Sequence, residues 1–396
     1  MSINAGRLEH WLRTDFIAMN TELEQRYFQQ DNRENVDGIG DDIKAQIERE
    51  GHTLIVPLKE EGNTDEGFDH AFNVLGNVGI YLAALRRHEL TNPERESTSP
   101  FKEASALAMH IGTSLGIAPR FATSHLTTHN RAVDGVYKTF TSLPAEFLFI
   151  DYNAYGILSY KRAADNLKRI LPMGISHPMA PMLLAEAERA LHDVARYNAK
   201  LFDELDRDAF FYSVRPYYKP YRVGRQEYRG ANAGDFSEIN EIDLLLGACQ
   251  ANDPYYGQLL IDKMLFMMPA DQASLRDTMR RQSLLSQLVE AAETSAHKAW
   301  FKSATEAFLR VFEAHGHAAT QHHNQLVHKY IVGPSEDLPE HKKSGLTASG
   351  PPLQVLINAL EKLRDMRTAA PRTDIRTAHD QIALLKHKID YESAAV

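Results

Sequence analysis

The chain has 396 residues, with 44 Lys and Arg against 53 Asp and Glu for a net charge of −9, and it carries 1 cysteine. With 43% hydrophobic and 24% charged residues the composition is that of an ordinary globular protein, which excludes intrinsic disorder, collagen-like sequence and disulfide scaffolds. An acidic balance argues against nucleic acid as a partner, and no run of 18 apolar residues is present to span a membrane.

From the N-terminus, the first thirty residues mix charges with apolar positions and show no signal-peptide core, so a cytoplasmic protein is expected. Thr53–Leu58 alternates in a strand-like way but is short and isolated. His70–His88 places Phe72, Leu75, Val78, Gly79, Leu82 and Leu85 three or four apart, the signature of one buried helical face. Pro, Ser and Asn then gather in Leu90–Pro100, the best candidate for a boundary between a small N-terminal helical domain (1–100) and a larger helical domain (101–396).

Met182–Leu205 repeats the helical pattern through Leu183, Ala187, Leu191, Val194 and Leu201. Asn240–Cys249, Tyr256–Met268, Ala273–Leu288, Ala299–Val332 and Pro352–Met366 follow, and a last periodic stretch runs through Ile382 and Leu385. The fold class read from this is all-α.

Familiar catalytic signatures are missing: there is no GxxxxGK[ST], strand-borne GxGxxG, HExxH, CxxC or GxSxG. Arg215–Gly230 (RPYYKPYRVGRQEYRG) interleaves basic residues with tyrosines as a single-strand stacking platform would, yet it is one loop long between acidic flanks, so it reads as a packed Tyr/Pro loop with exposed arginines. Histidine is the unusual feature: of 18, six (His315, His317, His322, His323, His328, His341) crowd one stretch. On a helical wheel Phe308, Phe312, Ala319, Leu326 and Tyr330 share a face, with His315, His322 and His323 on it or at its edge and His317 and His328 nearly opposite. An imidazole on an apolar face must be hydrogen-bonded or metal-bound. One helix cannot wrap three or four ligands around zinc, whereas haem needs only one axial nitrogen. Helical phase leaves the satisfied core histidine and the haem ligand both open.

Three segments in order, AFFYSVRPYYKPY (Ala209–Tyr221), GANAGDFSEINEIDLLLG (Gly230–Gly247) and HNQLVHKYIV (His323–Val332), resemble the indoleamine 2,3-dioxygenase family of histidine-ligated haem enzymes. VRPYYKPYRVGRQEYRG and PRFATSHLTTHN (Pro119–Asn130) are similar to its monodechloroaminopyrrolnitrin synthase-like branch. The resemblance implies an all-α indoleamine 2,3-dioxygenase-like fold and a haem b cofactor. It also implies haem-dependent oxidation or oxidative rearrangement of an aromatic amino acid (tryptophan, tyrosine or a derivative) with dioxygen or peroxide, in secondary metabolism. Non-catalytic haem binding and a haem-free helical scaffold are the competing readings.

Residue by residue, the resemblance puts His323 at the proximal iron position when the KYI stretch sets the register, and His322 there when the upstream Arg310–Phe312 does. Arg215 matches the arginine that holds the substrate carboxylate and Phe210 a pocket aromatic; a guanidinium suits that role because its planar fork pairs a carboxylate bidentately. Gly230 and Gly234 belong to the small-residue turn over the haem. Thr347 and Ser349 lie in the loop that closes on substrate, which reads LTASG rather than a GTGG-like sequence and is followed by two prolines. His125 is a candidate acid/base or hydrogen-bond donor on the distal side, where Tyr152 and Tyr155 are weaker candidates. Thr320 replaces the arginine that pairs with a haem propionate in that family.

Overall fold

The computed structural model describes residues 2–62, 66–333 and 353–390, and its chain contacts divide into two compact units. One unit takes in Met1–Ala154, Glu204–Asp235 and Lys329–Leu353; the other takes in Tyr155–Asp203, Phe236–His328 and Gln354–Val396.

The first unit is built from α1 (Ile3–Arg13), α2 (Asp15–Phe28), α3 (Asp41–Glu61), α4 (Phe68–Arg87) and α5 (Lys102–Leu115), followed by the start of α6 (Pro144–Ile170). Ser2 caps α1 by accepting the Ala5 N–H, and α3 ends at Gly62, whose φ of 70° lets its N–H return to the Leu58 carbonyl. Thr53–Leu58 belongs to α3 and not to a strand. Its apolar side chains Ile55 and Leu58 continue a buried stripe begun at Ile43, Ile47 and Gly51, so the longer helical period overrides the short alternation.

Helix α4 is buried on nearly every face, with charges confined to its two ends, Asp69 in the first turn and Arg86 and Arg87 in the last. Its glycines make it narrow: a Cβ at Gly76 would sit 2.3 Å from His125 Cδ2, and one at Gly79 would sit 2.3 Å from the backbone nitrogen of Phe121. The segment Pro119–His125 therefore lies directly on α4. The expected boundary region Leu90–Pro100 falls inside this unit, where the Ser99 N–H donates to the Gly224 carbonyl and α5 packs on α3 and α4.

The same unit continues with the single turn α8 (Arg207–Ala209), a π-turn Phe210–Val214, a 3-10 turn Arg215–Tyr218, and a hairpin of β1 (Tyr221–Val223) and β2 (Gln226–Tyr228). The hairpin pairs Tyr221 with Tyr228 and Val223 with Gln226, and Gly224 supplies the φ of 59° its turn needs. It is the one sheet among the described residues. A Tyr/Pro loop was expected here; Tyr217, Tyr218 and Tyr221 are buried in it.

The second unit holds the rest of α6 with α7 (Ala180–Glu204), α9 (Glu238–Leu245), α10 (Pro254–Met264), α11 (Pro269–Thr278), α12 (Leu284–Ser295), α13 (Ala299–Gln321), α14 (Leu353–Arg367) and α15 (His379–Ile389). Leu184, Leu191, Leu245, Leu288, Phe301, Phe308 and Leu385 are among the residues of its core. Each large apolar side chain so buried contributes about 1.5–3 kcal/mol. Cys249 lies in this core and burial pushes its thiol up, which makes it inert. Asp243 is the polar centre: its carboxylate accepts from His315 Nε2 (2.6 Å), from Arg367 (2.8 and 2.8 Å) and from the Tyr256 hydroxyl (2.7 Å). The architecture is all-α, and no helix among the described residues is long and apolar enough to cross a membrane.

Candidate functional site

Helix α13 runs in α geometry to Gln321 and continues as a π-helix, His322–Val332. A π-turn takes in an extra residue while the helix on either side keeps its own phase. As the wheel indicates, His317 and His328 are exposed. His315 is a buried core histidine whose Nε2 donates to Asp243 and whose Nδ1 has no partner.

His323 is 3% exposed, and its Nδ1 is buried without a hydrogen-bond partner. Its ring stands edge-on to His328 at 5.5 Å, and burial with the charges of Arg364 and His328 lowers its pKa. His322 keeps accessible surface, yet burial together with the charges of Arg367 and His323 pushes its imidazole down to about 4. Both rings are neutral near pH 7, as iron ligation requires. No group of three or more His, Cys, Asp or Glu among the described residues could hold a bare metal ion. A buried His323 imidazole with an unpartnered nitrogen fits haem, which asks the protein for one axial nitrogen and takes the remaining ligands from the porphyrin.

The π-turn and 3-10 turn of the first unit carry Phe210 and Arg215 on one short run. Phe210 is packed between Phe149 (4.9 Å between ring centroids) and Tyr330 (5.5 Å), and the Tyr330 hydroxyl donates to the Leu205 carbonyl at 2.9 Å. Arg215 is 8% exposed, and its guanidinium sits over the Phe211 ring at 5.3 Å. Its Nη2 is buried without a partner, it pairs with no carboxylate among the described residues, and burial pushes its pKa down to about 10. A buried guanidinium lacking a counter-ion is costly, and an incoming carboxylate removes that cost.

Gly230 and Gly234 flank a turn folded around two side chains. Asn232 accepts from the Gly234 N–H (2.8 Å) and donates to the Gly230 carbonyl (3.2 Å). Asp235 ties the turn to the Pro119–His125 segment by accepting from Arg120 (2.7 and 3.2 Å), the Thr123 N–H (3.1 Å) and hydroxyl (3.2 Å), and Arg229 (3.2 Å). Sequence reading missed Asp235, because its role depends on residues more than a hundred positions away.

His125 does not have the expected acid/base role. The Ala122 N–H donates to its Nδ1 (2.8 Å), so Nε2 carries the hydrogen and donates to the Phe72 carbonyl (2.9 Å). The ring stacks on Phe72 at 3.9 Å, and burial with the nearby Lys138 ammonium pushes its pKa down to about 3. With both nitrogens committed to backbone, His125 is a structural residue. Tyr152 donates to Glu204 (2.7 Å) and Tyr155 packs beside Tyr197. Thr347 and Ser349 lie outside the described residues.

A family model for monodechloroaminopyrrolnitrin synthase PrnB matches residues 2–389. The chain belongs to this family. It is therefore a haem-dependent, oxygenase-like oxidoreductase with the all-α fold of the indoleamine 2,3-dioxygenase-like superfamily. The monodechloroaminopyrrolnitrin synthase family acts on substrates derived from an aromatic amino acid, by oxidative rearrangement with oxygen or peroxide.

Proposed function

We propose that this family member oxidises or oxidatively rearranges a free aromatic amino acid, tryptophan, tyrosine or a derivative, that binds through its carboxylate to Arg215. The observation that carries this reading is the buried Arg215 guanidinium without a counter-ion. Phe210, held by Phe149 and Tyr330, offers the aromatic wall for the side chain of such a substrate. The turn Gly230–Gly234 offers small residues that a bound ligand can approach closely, and Asp235 fixes its position. His323 is the iron ligand in this reading, supported by the family register and its unpartnered Nδ1. Bound haem supplies the redox and oxygen-activating chemistry that side chains lack.

Arg215→Met tests the reading. It should weaken L-tryptophan or L-tyrosine binding about 10- to 100-fold, the loss of one to two charge-assisted hydrogen bonds, while haem content stays unchanged. Unaltered affinity for both amino acids refutes the carboxylate role. A second reading, with His322 as the ligand, rests on the register set by Arg310–Phe312 and on its accessible imidazole. Absorption spectra of His323→Ala and His322→Ala separate the two, because only loss of the true axial ligand abolishes the Soret band.

A further inference from the structure

The run that carries Arg215 departs from α geometry, and its sequence supplies the reason. In a regular helix the Tyr212 carbonyl would accept from the N–H four residues on, but that residue is Pro216, which has none. The Arg215 N–H instead closes a π-turn on the Phe210 carbonyl, and the chain then tightens into the 3-10 turn Arg215–Tyr218. The Tyr212 carbonyl takes its hydrogen bond from outside the run: Arg87, at the end of α4, donates to it at 2.9 Å. Arg87 is itself fixed. It is buried, lies over the Tyr27 ring at 4.9 Å, and forks onto Glu24 of α2 at 2.7 and 2.8 Å, with Nη2 serving both Glu24 and the Tyr212 carbonyl. Phe211, next to Tyr212, meets Arg215 directly, since the guanidinium sits over its ring at 5.3 Å. Two residues beyond Arg215, Tyr217 stacks on Phe140 at 4.3 Å and donates to Asn20 Oδ1 at 3.4 Å, again on α2.

We propose that Arg87, oriented by Glu24, is a positioning residue for Arg215: it seats the Phe211–Tyr212 backbone and so fixes where the guanidinium meets a substrate carboxylate. This rests on the carboxylate role of Arg215 and deepens it. A bidentate grip is strong only when the fork is held in place before the ligand arrives, because freedom lost on binding subtracts from affinity. Arginine suits the positioning task as well, since its planar fork reaches a carboxylate and a carbonyl at once, whereas a lysine ammonium is a single point on a flexible stem. The sequence hides this link, because 125 positions separate Arg87 from Tyr212.

The test uses the haem-loaded enzyme and indole-3-propionate, an indole with a carboxylate and no amine. Affinity is measured calorimetrically, with haem content and melting temperature recorded alongside, for wild type, Arg87→Lys, Arg215→Met and the double variant. Arg87→Lys keeps a positive charge beside Glu24 but loses the fork, and it should bind indole-3-propionate about tenfold more weakly while retaining its haem. In the Arg215→Met background the same substitution should change affinity by less than about twofold, because a positioning residue has no effect once the group it positions is gone. A merely structural role would instead weaken the residual binding equally in both backgrounds. If Arg87→Lys folds poorly, Glu24→Gln takes its place: it keeps an acceptor for the guanidinium, removes the charge that orients it, and should show the same loss with the same dependence on Arg215. The proposal is overturned if the substitution at Arg87 or Glu24 leaves affinity unchanged, or if its cost is equal in the two backgrounds. Should Arg215→Met weaken binding in either of those cases, only the role of Arg87 fails. If Arg215→Met has no effect, the reading of the whole site fails with it.

Discussion

Burial without an acid partner is what distinguishes Arg215 from the buried arginines that hold the fold. His125, His88 and His315 are buried imidazoles whose bonds lie within the protein: His88 meets the Tyr27 hydroxyl (3.0 Å) and Asn20 Oδ1 (2.6 Å), and His315 meets Asp243. Arg87 and Arg120 are buried guanidinium groups with bidentate acids. Arg215 shares their burial but pairs with no carboxylate among the described residues, and His323 Nδ1, like His315 Nδ1, is buried without a partner. Because leaving one member of a buried ion pair alone costs about 3–5 kcal/mol, Asp235→Ala should destabilise the first unit by about that amount. A urea denaturation midpoint equal to that of wild type would contradict the clamp. Replacement of Arg215, which has no partner to orphan, should leave the midpoint where it is or raise it, so stability measurements distinguish the two arginine environments.

Within single elements, narrowness and helical type place the side chains. Gly79 lets the Pro119–His125 segment lie directly against α4, and an added methyl would fall on the Phe121 backbone, which cannot turn aside as a flexible side chain could. Gly79→Ala should therefore cost about 1–3 kcal/mol by overpacking, although alanine favours helix more than glycine does. A gain in melting temperature would show that the segment moves freely. The π-helix His322–Val332 is the other such element. An apolar pattern of period 3.6 predicts one continuous helix over Ala299–Val332, and the chain is indeed helical throughout. Which of two adjacent histidines lies on the inner face depends on hydrogen bonds that skip one residue further, and those leave no trace in the pattern.

For the molecule as a whole, the buried neutral histidines set an acid limit. The folded pKa of His125 lies at about 3 and that of His322 at about 4, both below the unfolded value of about 6.5, and burial holds His88 well below it. Their lowered pKa values mean that the unfolded chain binds more protons, so this contribution is full above about pH 6.5 and is lost as pH falls towards 3 to 4. Glu146 and Glu238, raised to about 7 by burial, act in the opposite sense, and their contribution is lost as pH rises from about 4.3 through 7. The expected result is a melting temperature that declines below pH 6 in wild type. The decline should be shallower in His125→Gln, which keeps a donor and an acceptor but cannot titrate. Parallel pH profiles for the two proteins would refute the assignment.

The sequence by itself determined the helical class, because apolar spacing along α4, α7 and α13 can satisfy only one period. Through the order of its motifs it also determined the family and the haem. It singled out Arg215 as well, since the run around it is local. Tertiary structure alone decided which polar groups found partners. His125 is committed to backbone at Ala122 and Phe72, Asp235 closes on Arg120 across 115 positions, and Glu24 and Glu89 neutralise Arg87 and Arg86 while leaving Arg215 without an acid among the described residues. Such pairings depend on distances between residues remote in sequence, and a one-dimensional pattern contains no such distances.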